Sequence, residues 1–176
     1  PLSAWSCYAN VCVSHKFAPA SQIKPQNGKH LVPGWPDRTG DFPGCDATSL
    51  YETTPLYVDG ILSASTPFGG VRAINPETGR EIWSFDSELD LSGDYGDFTN
   101  RGVSTWLDPS RAQNAPCRRR IYVTPVDARP IALDARTGDP CRDHGTRGQV
   151  DPTRGGAHAP EATARTAVPP RPPAAP

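Results

Sequence analysis

Five cysteines (Cys7, Cys12, Cys45, Cys117, Cys141) and four histidines (His15, His30, His144, His158) are the residues whose type could hold a metal. Their spacing argues against it. No two cysteines stand as CxxC and no HExxH or HxxxH pattern occurs, so the paired ligands of a zinc site are missing. An odd count leaves at least one cysteine outside any intramolecular disulfide. Cys117 and Cys141 bracket one strand pair and are the pair that an exported protein could join. Arg118-Arg119-Arg120 is the only basic run, and no aromatic interleaving accompanies it. Residues 111–176 carry 11 Lys+Arg against 6 Asp+Glu, whereas residues 1–110 carry 7 against 13. The basic half reads as a solvated surface, and no nucleic-acid partner is expected.

The elements that must position any site are short. Tyr51 to Val58 is a strand, Asp59-Gly60 a hairpin turn and Ile61 to Ser65 the return strand. Gly69-Gly70 turns the chain into Val71–Ile74. Asn75-Pro76-Glu77-Thr78-Gly79 is a turn with Pro second and Gly last. Glu81–Phe85 then alternates, with Trp83 and Phe85 on one face and Ile82 and Ser84 on the other. The unit recurs: Ala73–Gly79 matches Ala132–Gly138, and the register holds without a gap back to Leu62 against Ile121. A third echo, Arg38-Thr39-Gly40-Asp41, follows Trp35. A four-stranded unit at this period is the signature of a β-propeller blade, whose sheet must bury one face on its neighbour. Two unrelated hairpins sharing a Thr-Gly turn are the bland alternative.

Composition agrees. The chain has 176 residues, with 21 Pro, 16 Gly and 36% hydrophobic residues, and a mean hydropathy of -0.54. This is rich in turns and argues against a helical bundle or a doubly wound sheet. No apolar run approaches the roughly 18–20 residues of a membrane span. Position 1 is not Met and no signal-peptide pattern opens the chain, which points to a processed chain or a piece of a longer one, with any export signal upstream. Residues 1–45 read as an irregular lead-in, 46–151 as propeller repeats, and 152–176 as a low-complexity Pro/Ala/Arg-rich tail expected to be disordered. The expected fold is all-β: about the first two blades of an eight-bladed propeller, with a well-formed four-stranded antiparallel sheet within 51–86 and a poorer one within 118–142.

Tyr51-Glu52-Thr53-Thr54-Pro55, Thr66-Pro67-Phe68 and Ala73–Trp83 together resemble the first full blade of the quinoprotein dehydrogenases, which use pyrroloquinoline quinone (PQQ). Asn100-Arg101-Gly102-Val103-Ser104 resembles their cofactor-contacting loop. Arg120-Ile121-Tyr122, Asp127-Ala128-Arg129 and Ile131–Asp134 resemble the next blade. Gly145 with Gly148–Asp151 resembles the stretch that follows in the membrane-bound glucose dehydrogenase branch, and Gln22-Ile23, Asn27, Leu31-Val32, Trp35 and Arg38–Asp41 resemble the lead-in. The resemblance implies that Glu52 and Arg101 contact PQQ. A guanidinium suits the three carboxylates and ortho-quinone of PQQ, and Glu52 would orient ring groups. The bland alternatives are a solvated strand residue and a surface loop charge.

The resemblance further implies oxidation of a sugar or alcohol CH–OH group, a membrane quinone as electron acceptor, calcium or magnesium in the complete enzyme, and a periplasmic or membrane-associated bacterial location. Some positions depart from it. Tyr95 and Gly96 stand where the alcohol branch has adjacent cysteines, and Asp97 stands where the glucose branch often has His, so a carboxylate there would repel those of PQQ. Pro125 and Pro130 fall within the second unit's expected strands, and Arg142 takes the place of Trp83, so this unit is expected to pack poorly. The family's cation ligands and catalytic Asp would follow position 151. The chain alone is therefore expected to be inactive; a catalytic carboxylate would otherwise be sought among Asp86, Asp90, Asp94, Asp97 and Asp108. A non-enzymatic propeller-repeat scaffold and a non-functional truncated gene product are the alternative readings.

Overall fold

The computed structural model describes residues 4–7, 20–41 and 49–153. Most of the expected tail, 154–176, lies outside the described residues. Among the described residues nine strands follow one 3-10 turn at Gly28–His30: β1 Ser49–Thr54, β2 Leu56–Val58, β3 Ile61–Ser65, β4 Val71–Ile74, β5 Glu81–Phe85, β6 Phe98–Gly102, β7 Ser104–Leu107, β8 Arg119–Val123 and β9 Ile131–Asp134. A four-stranded antiparallel sheet has the order β2-β3-β4-β5, and a three-stranded antiparallel sheet has the order β7-β8-β9. β1 and β6 pair in parallel as a third, two-stranded sheet. No helix among the described residues is long and apolar enough to cross a membrane.

Three local expectations are corrected. The strand expected from Tyr51 to Val58 is two strands in different sheets, broken at Pro55, which has no N–H for a ladder. The run Asn100–Ser104 is not a loop; it forms the end of β6 and the start of β7. Pro125 and Pro130 do not interrupt strands, because both lie in the connection between β8 and β9. The second unit therefore begins earlier than expected, at Ser104. It is poorer in strands but not in packing, since every residue of β9 is buried.

The two antiparallel sheets bury their facing sides on each other. Val71, Ala73 and Trp83 of the first meet Ile121, Val123, Ile131, Leu133 and Ala135 of the second. A fully buried Leu or Ile of this kind contributes about 1.5–3 kcal/mol. The turns explain the sequence repeat. Asn75 Oδ1 accepts from the N–H groups of Glu77 and Thr78, and Gly79 N–H donates to Asn75 O. Asp134 Oδ1 does the same for Arg136 and Thr137, with Gly138 N–H donating to Asp134 O.

Each turn also receives an indole. Trp83 Nε1–H donates to Ala135 O at 3.1 Å, and a Cβ on Gly138 would lie 2.6 Å from its ring. Trp35 of the lead-in repeats this on the first sheet, donating to Pro76 O at 3.0 Å and lying against Gly79. Arg72 secures the same face by bridging Asp37 and Glu81.

Among the described residues the second sheet has no counterpart of β5. Its outer edge is occupied by single bridges, Leu133 with Pro140 and Ile131 with Gln149. A disulfide joins Cys117 to Cys141 across that edge; a closed loop of this length contributes roughly 3 kcal/mol. Nearby, the Arg120 guanidinium is 7% exposed and donates to Cys117 O and Asp143, over the face of Trp106. Arg111 also donates to Asp143.

Two outcomes are expected. Trp83→Phe removes the donor to Ala135 O and costs about 0.5–1.5 kcal/mol, whereas Trp83→Ala costs about 3–5 kcal/mol, both read from denaturant unfolding. The hydrogen bond from Arg120 is the main cause holding the Asp143 carboxyl below its ordinary value. A lowered folded-state value means that this stabilisation is complete above the ordinary carboxylate range and is lost as pH falls through the lower one. Asp143→Asn should thus be less stable at neutral pH and lose less stability than wild type below about pH 4, measured as Tm against pH.

Candidate functional site

Pro55 ends β1 and Gly102 ends β6, and between these stops the two parallel strands run side by side. Ser49 pairs with Phe98 and Tyr51 with Asn100, and after an irregularity Thr54 pairs with Gly102. Gly102 makes the close approach possible. Its φ is +134°, and a Cβ there would meet Thr54 O at 3.0 Å. This places Glu52 and Arg101, 49 residues apart in sequence, on neighbouring strands, and Arg101 Nε donates to Glu52 Oε2 at 3.2 Å. The Arg101 side chain is 84% exposed and that of Glu52 46%. Such a pair contributes about 1 kcal/mol or less to stability. The terminal nitrogens of Arg101 carry no hydrogen bond among the described residues.

A hollow of about 380 Å³ opens beside the guanidinium. Residues that carry hydroxyls line it from three places: Thr54 at the end of β1, Thr99 and Ser104 on β6 and β7, and Tyr122 and Thr124 at the end of β8. The set offers a cation with free planar donors and neutral hydroxyl-bearing residues, and the Glu52 carboxylate joins it through its pairing with Arg101. Such donors are complementary in kind to a flat, carboxylate-bearing molecule. They fit PQQ, whose carboxylates would meet Arg101 and the hydroxyls.

The structure thus brings Glu52 and Arg101 together. No hydrogen bond or ion pair among the described residues joins any of the five aspartates to either. Asp97 is exposed before β6, and none of Asp86, Asp90, Asp94, Asp97 and Asp108 lines the hollow. Asp90 and Asp108 cap local turns, and the hydrogen bonds from Ser92 and Ser110 are the main causes holding their carboxyls low. Asp86 faces a separate hollow with Asp41 and Glu88. Among the described residues no group of three or more His, Cys, Asp or Glu could hold a metal ion. The sequence reading missed the hydroxyl lining. Thr54, Tyr122 and Thr124 carry no local signal, because only the meeting of β1, β6 and β8 gathers them.

Comparison with known proteins agrees with this architecture. The family model described as the β-propeller domain of glucose, ethanol and alcohol dehydrogenases using PQQ matches residues 5–174. Quinoprotein glucose dehydrogenase A of Acinetobacter calcoaceticus is 30% identical, with 85% of this chain and 20% of that protein covered. The quinate/shikimate dehydrogenase (quinone) of Acinetobacter baylyi is 32% identical over 84% of this chain and 20% of its own length. The crystal structure of the quinohemoprotein alcohol dehydrogenase from Comamonas testosteroni superposes with a TM-score of 0.60 at 31% identity, covering 77% of this chain and 18% of that one. The chain spans about a fifth of the length of the curated relatives it matches. Relatives named for glucose, glycerol and quinate match to similar degrees.

Gly102→Ala should lower the unfolding free energy by about 1–3 kcal/mol, the cost of a side chain in a strained backbone region. It should also speed amide exchange along Tyr51–Thr54 as β6 is pushed off β1. Unchanged exchange on β1 would show that the approach at Gly102 does not hold the pair.

Proposed function

The chain belongs to the PQQ-dependent dehydrogenase β-propeller family, and from that premise we propose that its two antiparallel sheets are consecutive blades of an eight-bladed ring and that Glu52 and Arg101 hold PQQ. The observation that carries this reading is the Arg101–Glu52 pair. It joins two parallel strands beside a hydroxyl-lined hollow, with the terminal guanidinium nitrogens unused.

The protein of which this chain forms part oxidises a sugar or alcohol CH–OH group and passes the electrons to a membrane quinone. PQQ, when bound, supplies the ortho-quinone that accepts the electrons. The residues here bind and orient. Arg101 offers its planar donors to carboxylate or quinone oxygens. Glu52 accepts from Arg101 Nε and would offer its other oxygen to ring groups. Thr54, Thr99, Ser104, Tyr122 and Thr124 supply neutral hydrogen bonds at the wall. The run Gly145 with Gly148–Asp151 favours the membrane-bound glucose dehydrogenase branch. Calcium or magnesium would be held by other parts of the complete enzyme. The disulfide between Cys117 and Cys141 favours an oxidising compartment, here the periplasm or the outer face of a bacterial membrane.

Titration with PQQ of the chain completed with its later blades, followed by fluorescence quenching, tests the reading. Arg101→Ala should weaken binding roughly 10- to 150-fold, the loss of a charge-assisted hydrogen bond of about 1.5–3 kcal/mol. Arg101→Lys should also bind less well, because an ammonium cannot reproduce the planar fork. Equal affinity in wild type and Arg101→Ala would remove Arg101 from the site and sink this reading.

A further inference from the structure

Arg101 is almost fully exposed and makes one side-chain hydrogen bond, so its own contacts do little to hold its direction. The residue before it is the reverse. Asn100 is 6% exposed. Its Oδ1 accepts from Gly102 N–H at 3.1 Å, closing a hydrogen-bonded ring that spans Arg101 at the end of β6. Its Nδ2 donates to Thr124 O at 3.0 Å, just beyond β8. One amide therefore clamps the backbone on both sides of Arg101 and ties β6 to the opposite wall of the hollow, which Tyr122 and Thr124 line. A buried carboxamide satisfied at both ends accepts little displacement.

We propose that Asn100 is the positioning residue of the site: through its hydrogen bond across Arg101 to Gly102 and its tie to Thr124, it fixes the guanidinium between Glu52 and the hollow in the orientation that receives the anionic cofactor. The inference rests on the reading of Arg101 as a PQQ contact. Alanine removes both hydrogen bonds. Serine keeps an oxygen that can accept from the N–H two residues on, but does not reach Thr124.

The test is a double-mutant cycle on the completed chain with PQQ as the probe. Asn100→Ala should weaken PQQ binding about tenfold, and Asn100→Ser should recover part of that loss. In the Arg101→Ala background, Asn100→Ala should have no further effect, because a residue that acts through Arg101 has nothing left to position. An equal tenfold loss in both backgrounds would assign Asn100 a merely structural part and overturn the proposal. If Asn100→Ala is too unstable to titrate, Asn100→Ser carries the same cycle. Nitrogen-15 relaxation of the Arg101 Nε–H group without PQQ is the independent measurement: Asn100→Ala should mobilise it, and unchanged order would overturn the proposal. Failure of wild type to bind PQQ, or indifference of binding to Arg101→Ala, would instead sink the reading of Arg101, and the relaxation result would still decide the role of Asn100.

Discussion

The contact between a tryptophan indole and the glycine turn of the neighbouring sheet is the constraint on which the rest of the arrangement depends. An indole is rigid and broad, and its one polar atom sits at the edge. Laid on a turn, it needs a position without a Cβ beneath the ring and a carbonyl within reach of Nε1. Gly138 and Ala135 O meet both needs for Trp83, and Gly79 and Pro76 O meet them for Trp35. Because β5 carries the ring and the Asp134–Gly138 turn receives it, the two sheets have little freedom to slide. Val71, Ala73, Ile121, Val123 and Leu133 then fill the space so defined.

The functional region follows from that docking. Strands β2 and β7 are the leading strands of the two sheets, and β1 and β6 run directly into them across Pro55 and Val103. Holding the sheets in fixed relation places β1 beside β6, so two runs with no local relation become a parallel pair. The polar side chains divide there by burial. Asn100, and Thr53 with its hydrogen bonds to Ser65, are tied into the protein, whereas Arg101 and Glu52 are left in solvent. Charges as exposed as these add little to the fold; the use proposed for them rests on their pairing and on the hollow that Arg101 lines.

The second sheet shows how the same core survives with a different edge. Arg142 replaces the indole, and no outer strand forms among the described residues. In exchange, the Cys117–Cys141 disulfide and the Arg120–Asp143 pair secure the segments that cover β9. A covalent tie and a largely buried guanidinium with satisfied donors do locally what an added strand does through its ladder.

The repeat, the strands β3, β4 and β5 and the turn chemistry were determined by the sequence itself. An Asn or Asp that accepts from the next N–H groups, followed by a glycine with positive φ, is a local preference that needs no partner. The family resemblance was legible for the same reason: it rests on short runs of residue types, and those runs are what single out Glu52 and Arg101. Local rules failed where the partner is distant. Tyr51–Val58 alternates as one strand, and only the arrival of β6 shows that its first half belongs to a parallel pair. Asn100–Ser104 looks irregular until β1 and β8 receive it, and Pro125 and Pro130 could be placed only once β8 and β9 had ends. The Arg101–Glu52 hydrogen bond and the hydroxyl wall were decided by tertiary structure alone, because their members come from β1, β6 and β8. No spacing along the chain encodes how far apart two strands lie when an indole has docked their sheets together.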